Sequence, residues 1–118
     1  MRSATSQATP RCTVEINNIV IVNLTSPREK VWGRLVGLKT EGVTIRGIGL
    51  DSFDDFVRQV VSREEIAVGM TEVFYPMHRV ERVAIDEPCG SFPSLSERFH
   101  NLVGMSIQEY LGTGMPRG

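Results

Sequence analysis

The chain has 118 residues, 41% of them hydrophobic and 23% charged, with a net charge of −1. That is enough for one domain with a real core and too little for two. The near-zero balance gives no global field toward nucleic acid or an acidic membrane surface. No apolar run reaches the roughly 18 residues of a membrane span, and Met1–Thr13 lacks the apolar centre of a secretory signal. A cytoplasmic protein without a membrane role is the expectation.

Charge is unevenly spread. Residues 1–50 are net basic, while residues 51–66 and 67–118 are both net acidic. Arg outnumbers Lys heavily, which favours bidentate or stacked contacts, although codon usage explains such a bias equally well.

Met1 to about Thr13 is rich in Ser, Thr, Gln and Ala and reads as a loose tail, leaving 14–118 as the single domain. Three strands follow. Ile19–Leu24, Lys30–Leu38 and Gly42–Gly49 place β-branched residues at period two, broken by Gly, with short joins at Thr25–Glu29 and Lys39–Glu41. This is the pattern of a tightly curved antiparallel meander. Asp51–Val61 changes period: Phe53, Phe56, Val57 and Val60 form one helical stripe, and Ser52 with Asp55 suggests a capping box.

Ile66–Tyr75 and His78–Asp86 return to strand composition, separated by Pro76, which cannot donate to a ladder. After a Pro/Gly loop, Ser94 and Glu97 announce a helix whose stripe is Leu95, Phe99, Leu102 and Val103, with Gly104 as its C-terminal stop. Ser106 and Glu109 repeat the capping pattern, pointing to a short final turn or helix, and Thr113–Gly118 is expected to fray. Helical content is therefore expected at about 51–61 and 94–111.

Face consistency sets the register of the second and third strands. With Leu35 opposite Ile45, Val31, Gly33, Leu35 and Gly37 share a face with Val43, Ile45 and Gly47, and Gly42 falls where a turn bulge needs positive φ. Trp32, Arg34, Arg46 and Ile48 then occupy the other face, with Arg34 opposite Arg46. Like charges so placed are unfavourable unless something negative or aromatic lies near. Two guanidinium groups beside an indole point to an anion or nucleobase surface. The alternative is that Glu72 or Glu81 neutralises the pair and Trp32 lies under a helix. The first strand is apolar on both faces, so a helix or a second subunit must cover it.

Catalytic constellations do not emerge. His78 and His100 are the only histidines, and Cys12 and Cys89 lack partners at metal-ligand spacing. Asp54–Asp55 and Glu64–Glu65 are adjacent pairs that diverge rather than form dyads. The Gly-bearing strand segments are not followed by a phosphate-loop helix. No enzyme activity, metal or cofactor is expected.

Val20–Leu24 followed by Val31-Trp32-Gly33-Arg34-Leu35 and Gly42–Ile45 resembles the first motif of the Sm-like small β-barrels, within the wider SH3-like group. Val73–Pro76 joined tightly to Arg79–Ile85 is similar to the shorter second motif. The resemblance spans about residues 19–86, with the 51–61 helix as an insertion. It implies a strongly bent five-stranded antiparallel barrel, homo-oligomeric edge-to-edge assembly into rings, and RNA binding in many members. Of the family's RNA-site positions, Arg79 and Lys39 carry over. The loop Lys39-Thr40-Glu41-Gly42 and the Arg79-Val80 pair depart from the family pattern. The resulting expectation is a non-catalytic module binding RNA or another anion through Trp32, Arg34, Arg46, Arg79 and Lys39. The alternative is a protein-interaction or assembly module with no nucleic-acid role.

Overall fold

The computed structural model describes residues 14–62 and 69–114. The expected tail at 1–13, the start of the predicted fourth strand at 66–68 and the chain end at 115–118 lie outside the described residues.

Strand β1 is Ile19–Leu24, β2 Glu29–Lys39, β3 Gly42–Gly49, β4 Thr71–Pro76 and β5 Val80–Ile85. Helices α1 (Phe53–Ser62), α2 (Leu95–Val103) and α3 (Ile107–Gly114) complete the chain. The strands form one antiparallel sheet in the order β4-β3-β2-β1-β5.

The expected closed barrel is not formed: β4 and β5 are the two edges and do not pair with each other. Their connection explains this. A 3-10 turn, Met77–Arg79, replaces a hairpin turn and sends the chain across to the far side of β1. His78 therefore belongs to the turn and not to the strand predicted from it.

Two apolar layers flank the sheet. On the inner face Val20, Val22, Leu24, Val31, Leu35, Val43 and Ile45 form one buried cluster. On the outer face Ile19, Trp32 and Ile48 lie beneath Phe53, Phe56, Val57, Phe99, Ile107 and Leu111 of the helices. The doubly apolar β1 is thus covered by this chain's own helices. The aromatic rings interlock: Trp32 meets Phe53 edge-on at 5.1 Å, and Phe56 stacks on Phe99 at 5.9 Å. Tyr110 from α3 meets Phe56 at 82° and Phe99 at 63°, both edge-on.

Leu35 does lie opposite Ile45, and Arg34 opposite Arg46. A register shift between Leu35 and Gly37 then moves Gly37 opposite Thr44, onto the outer face and not the expected inner one. Gly42 is not in the positive-φ region either. Its side-chain absence serves close approach instead, since a Cβ there would strike the Tyr75 carbonyl and stand 2.5 Å from the Phe74 ring. The same need is sharper where Gly33 faces Gly47: a Cβ on Gly33 would stand 2.5 Å from the Gly47 Cα.

Helix starts follow local chemistry. Ser94 and Glu97 form the capping box, with the Glu97 N–H donating to Ser94 Oγ at 3.0 Å, and Gly104 closes α2 at φ 95°. Ser106 and Glu109 repeat the exchange ahead of α3. At α1 the 3-10 turn Leu50–Ser52 runs straight into the helix, so entry does not rest on a Ser52 cap. Leu102, expected on the buried stripe of α2, is 56% exposed, and of that stripe only Phe99 is fully buried.

Candidate functional site: the outer strip and the open edges

The predicted anion surface separates into parts with different roles. Trp32 is fully buried, and its Nε1–H donates to Asp86 Oδ2 at 3.0 Å. A ring in that position has no free face for a nucleobase. Arg34 and Arg46 are brought together as expected, directly opposite across β2 and β3. Arg46 donates to the Met70 carbonyl at 3.3 Å and pairs with Glu72 at 3.4 Å. Glu72 is one of the two acids the sequence offered as neutralising partners. At these exposures the pair contributes at most about 1 kcal/mol, yet it relieves the repulsion between the two guanidinium groups.

Arg79 stands apart. Its Nε donates to the Thr25 carbonyl at 2.9 Å and its Nη2 to the Pro27 carbonyl at 2.8 Å, clamping the β1–β2 turn to the turn between β4 and β5. Glu29 lies 4.0 Å from the same guanidinium. Nearby, the Tyr75 hydroxyl is pushed above its ordinary value of 10.0, first by burial and then by the charge of Glu29, with Arg79 opposing. Lys39 is exposed at the end of β2, opposite Gly42.

Asp86 is a constraint that sequence spacing did not expose. Besides Trp32, its carboxylate accepts from the Leu95 N–H at 3.0 Å, the Ser96 N–H at 2.8 Å and the Ser96 hydroxyl at 2.7 Å. One side chain at the end of β5 thereby joins the sheet's central tryptophan to the first turn of α2.

The sheet edges are the second missed feature. Met77 N–H donates to the Glu41 carbonyl at 2.8 Å, and the β3–β4 register places those residues directly opposite. Because antiparallel bonding alternates, Thr71, Val73 and Tyr75 bond toward β3, while Glu72, Phe74 and Pro76 turn their backbone groups outward. At the other edge the Asp86 N–H donates to the Ile19 carbonyl at 3.0 Å, so Arg82 and Ala84 bond to β1 and Val83 and Ile85 turn outward. No strand pairs with either edge among the described residues. On β4, Val73 is 36% and Phe74 52% exposed.

A hollow of about 390 Å³ is lined by Val31, Ile45, Thr71, Val73 and Tyr75 with neighbouring glycines, and no charged group is among its lining residues. Among the described residues no cluster of three His, Cys, Asp or Glu side chains stands close enough to hold a metal, and no helix is long and apolar enough to cross a membrane. Comparison with protein-family models, with curated proteins and with solved structures finds no match for this chain.

Proposed function

We propose that this protein is a non-catalytic interaction and assembly module that works through the open edges of its sheet. The observation that carries the reading is β4: a strand with outward backbone groups, exposed Val73 and Phe74 and no bulge, whose one proline, Pro76, stands at its last position. An edge of this kind takes an added strand, with main-chain hydrogen bonds giving affinity and alternate side chains giving selectivity. Kinship with the Sm-like or SH3-like small barrels is part of the proposal. Its support is the five-stranded antiparallel sheet whose last two strands are joined by a three-residue turn.

Cross-linking of the protein purified gently from its own cells, with the linked residues mapped by mass spectrometry, tests the reading. Links to a protein chain centred on residues 71–76 or 80–85 are expected. Contacts centred on the helices, or bound nucleic acid that is shed as salt rises, would overturn it.

RNA binding stands as a second reading because of one observation. Phe74 shares the outer face with Thr44, Arg46 and Arg34, so an exposed ring, unlike Trp32, lies in line with two guanidinium groups. Stacking on such a ring contributes about 1–3 kcal/mol per base. Fluorescence anisotropy with a labelled oligouridine checks it: binding that weakens steeply with salt and is lost in Phe74→Ala is expected, and salt-indifferent or absent binding removes it.

A further inference from the structure

The β4 edge is self-complementary. We infer that the strand added to β4 is β4 of a second copy of this chain, related by a two-fold axis at Phe74; this rests on the edge reading above and names the partner.

Donors, acceptors and side chains all match across such a pair. In an antiparallel pair centred on Phe74, each Phe74 faces the other, Glu72 faces Pro76 of the second copy, and Val73 faces Tyr75. Outward-turned residues stand directly opposite one another, which is the hydrogen-bonded position of an antiparallel ladder. Every outward N–H of the edge then finds a carbonyl: Phe74 exchanges bonds with Phe74, and each Glu72 N–H meets a Pro76 carbonyl. Proline's missing N–H falls at the ends of the ladder, where the unmatched Glu72 carbonyl stays in water.

Side chains agree with that register. The central pair is aromatic on aromatic, and Val73 against Tyr75 is β-branched on aromatic, both favourable cross-strand combinations. Glu72 meets no like charge, and its carboxylate is already held by Arg46 of its own sheet at 3.4 Å. A pairing of β4 with the β5 edge fits less well. Centred on Phe74 and Val83, it sets Tyr75 against Arg82, Glu72 against Ile85, and Pro76 against Glu81. The side chains of β5 are also less available, since Val80, Val83 and Ile85 lie against the inner cluster, whereas on β4 Tyr75 alone does. A two-fold pair closes on itself, so the product is a dimer and not a ring or fibre.

Light scattering on the full chain tests this from about 1 µM to about 1 mM, the span in which a short edge contact forms and dissolves. The wild-type mass is expected to rise from 13.1 kDa to twice that value. Phe74→Pro removes an N–H that makes no bond within the sheet, so this variant is expected to stay at 13.1 kDa at every concentration. Val83→Pro, at the opposite edge, is expected to double in mass as wild type does. Should Phe74→Pro fail to fold by circular dichroism, Glu72→Pro carries the same test, because its amide also points outward.

A wild-type chain that is monomeric throughout overturns the second-copy inference while leaving β4 open to another protein. Equal loss of association in Phe74→Pro and Val83→Pro also overturns it, in favour of edge-to-opposite-edge assembly. A dimer that survives both substitutions removes the inference and the edge reading together.

Discussion

Replacing Asp86 by Ala takes away a carboxylate that reaches both the core of the sheet and the start of a helix. Trp32 is fully buried, so its Nε1–H is left without an acceptor where water does not reach the ring. An orphaned donor of this kind costs about 1–3 kcal/mol. The Leu95 and Ser96 amides in the first turn of α2 lose their acceptor as well, a loss comparable to removing an N-cap, about 1 kcal/mol. The Ser96 hydroxyl can turn to water and adds little. The sum is about 3 kcal/mol, a large share of a small domain's stability. Urea unfolding followed by fluorescence measures it, and since Trp32 is the single tryptophan the signal comes from the perturbed site. Asp86→Asn, which keeps one acceptor oxygen, is expected to fall between the two. The cost of Trp32→Phe should also be smaller in the Asp86→Ala background, because that background has already orphaned the indole N–H. A loss under about 1 kcal/mol for Asp86→Ala, or strictly additive costs in the double variant, would refute the reasoning.

Other perturbations test other parts of the fold. Gly47→Ala drives a Cβ into the Trp32 carbonyl and should cost about 3 kcal/mol or more, whereas Gly49→Ala, with its nearest neighbour 4.0 Å away, should change stability little; paired urea titrations read both. Arg79→Ala unties two turn carbonyls and should cost about 2 kcal/mol, with faster amide exchange at Thr25–Arg28, while oligouridine binding should not respond. Tyr75 binds its proton more tightly in the folded chain than in the unfolded one. Its stabilising contribution is therefore complete below pH 10.0 and lost as pH rises through the folded value. Tyr75→Phe should flatten that alkaline fall in a melting series, and an unchanged fall would assign it to other groups.

The parts of the fold that local rules control were legible in the chain. Period-two runs set β1 to β3 within a residue or so of their observed ends, and Ser94, Glu97 and Gly104 marked α2 because caps are satisfied within one turn. The facing of Leu35 with Ile45, and of Arg34 with Arg46, followed from side-chain alternation and the burial of one face. What failed depended on contacts remote in sequence. The shift at Leu35/Gly37 is a backbone adjustment with no residue signature of its own, and it reversed the face of Gly37. Whether β4 and β5 would meet depended on the path of the Met77–Arg79 turn, so openness of the sheet could not be read from either strand.

The candidate site divides the same way. The opposed arginines were visible because they lie on adjacent strands, and Glu72 was among the partners considered because its strand was. Trp32 could be read as a stacking surface only while its cover was unknown; α1 and α2 supply that cover from more than twenty residues away. Asp86 reads in sequence only as the acid that ends a strand, since its partners at Trp32, Leu95 and Ser96 converge only in three dimensions. Phe74 lay in a predicted strand, but nothing in its neighbours said that the strand would be an edge.

Residue-resolved hydrogen exchange across β4, at low and high protein concentration, tests the edge account most directly. At low concentration Val73 and Tyr75 amides should be protected by β3 while Glu72 and Phe74 exchange freely, and at high concentration Glu72 and Phe74 should slow by at least tenfold. Glu72 and Phe74 amides that are already protected in the dilute monomer would contradict the claim that this edge is open, and exchange unaltered by concentration would contradict its use in self-pairing.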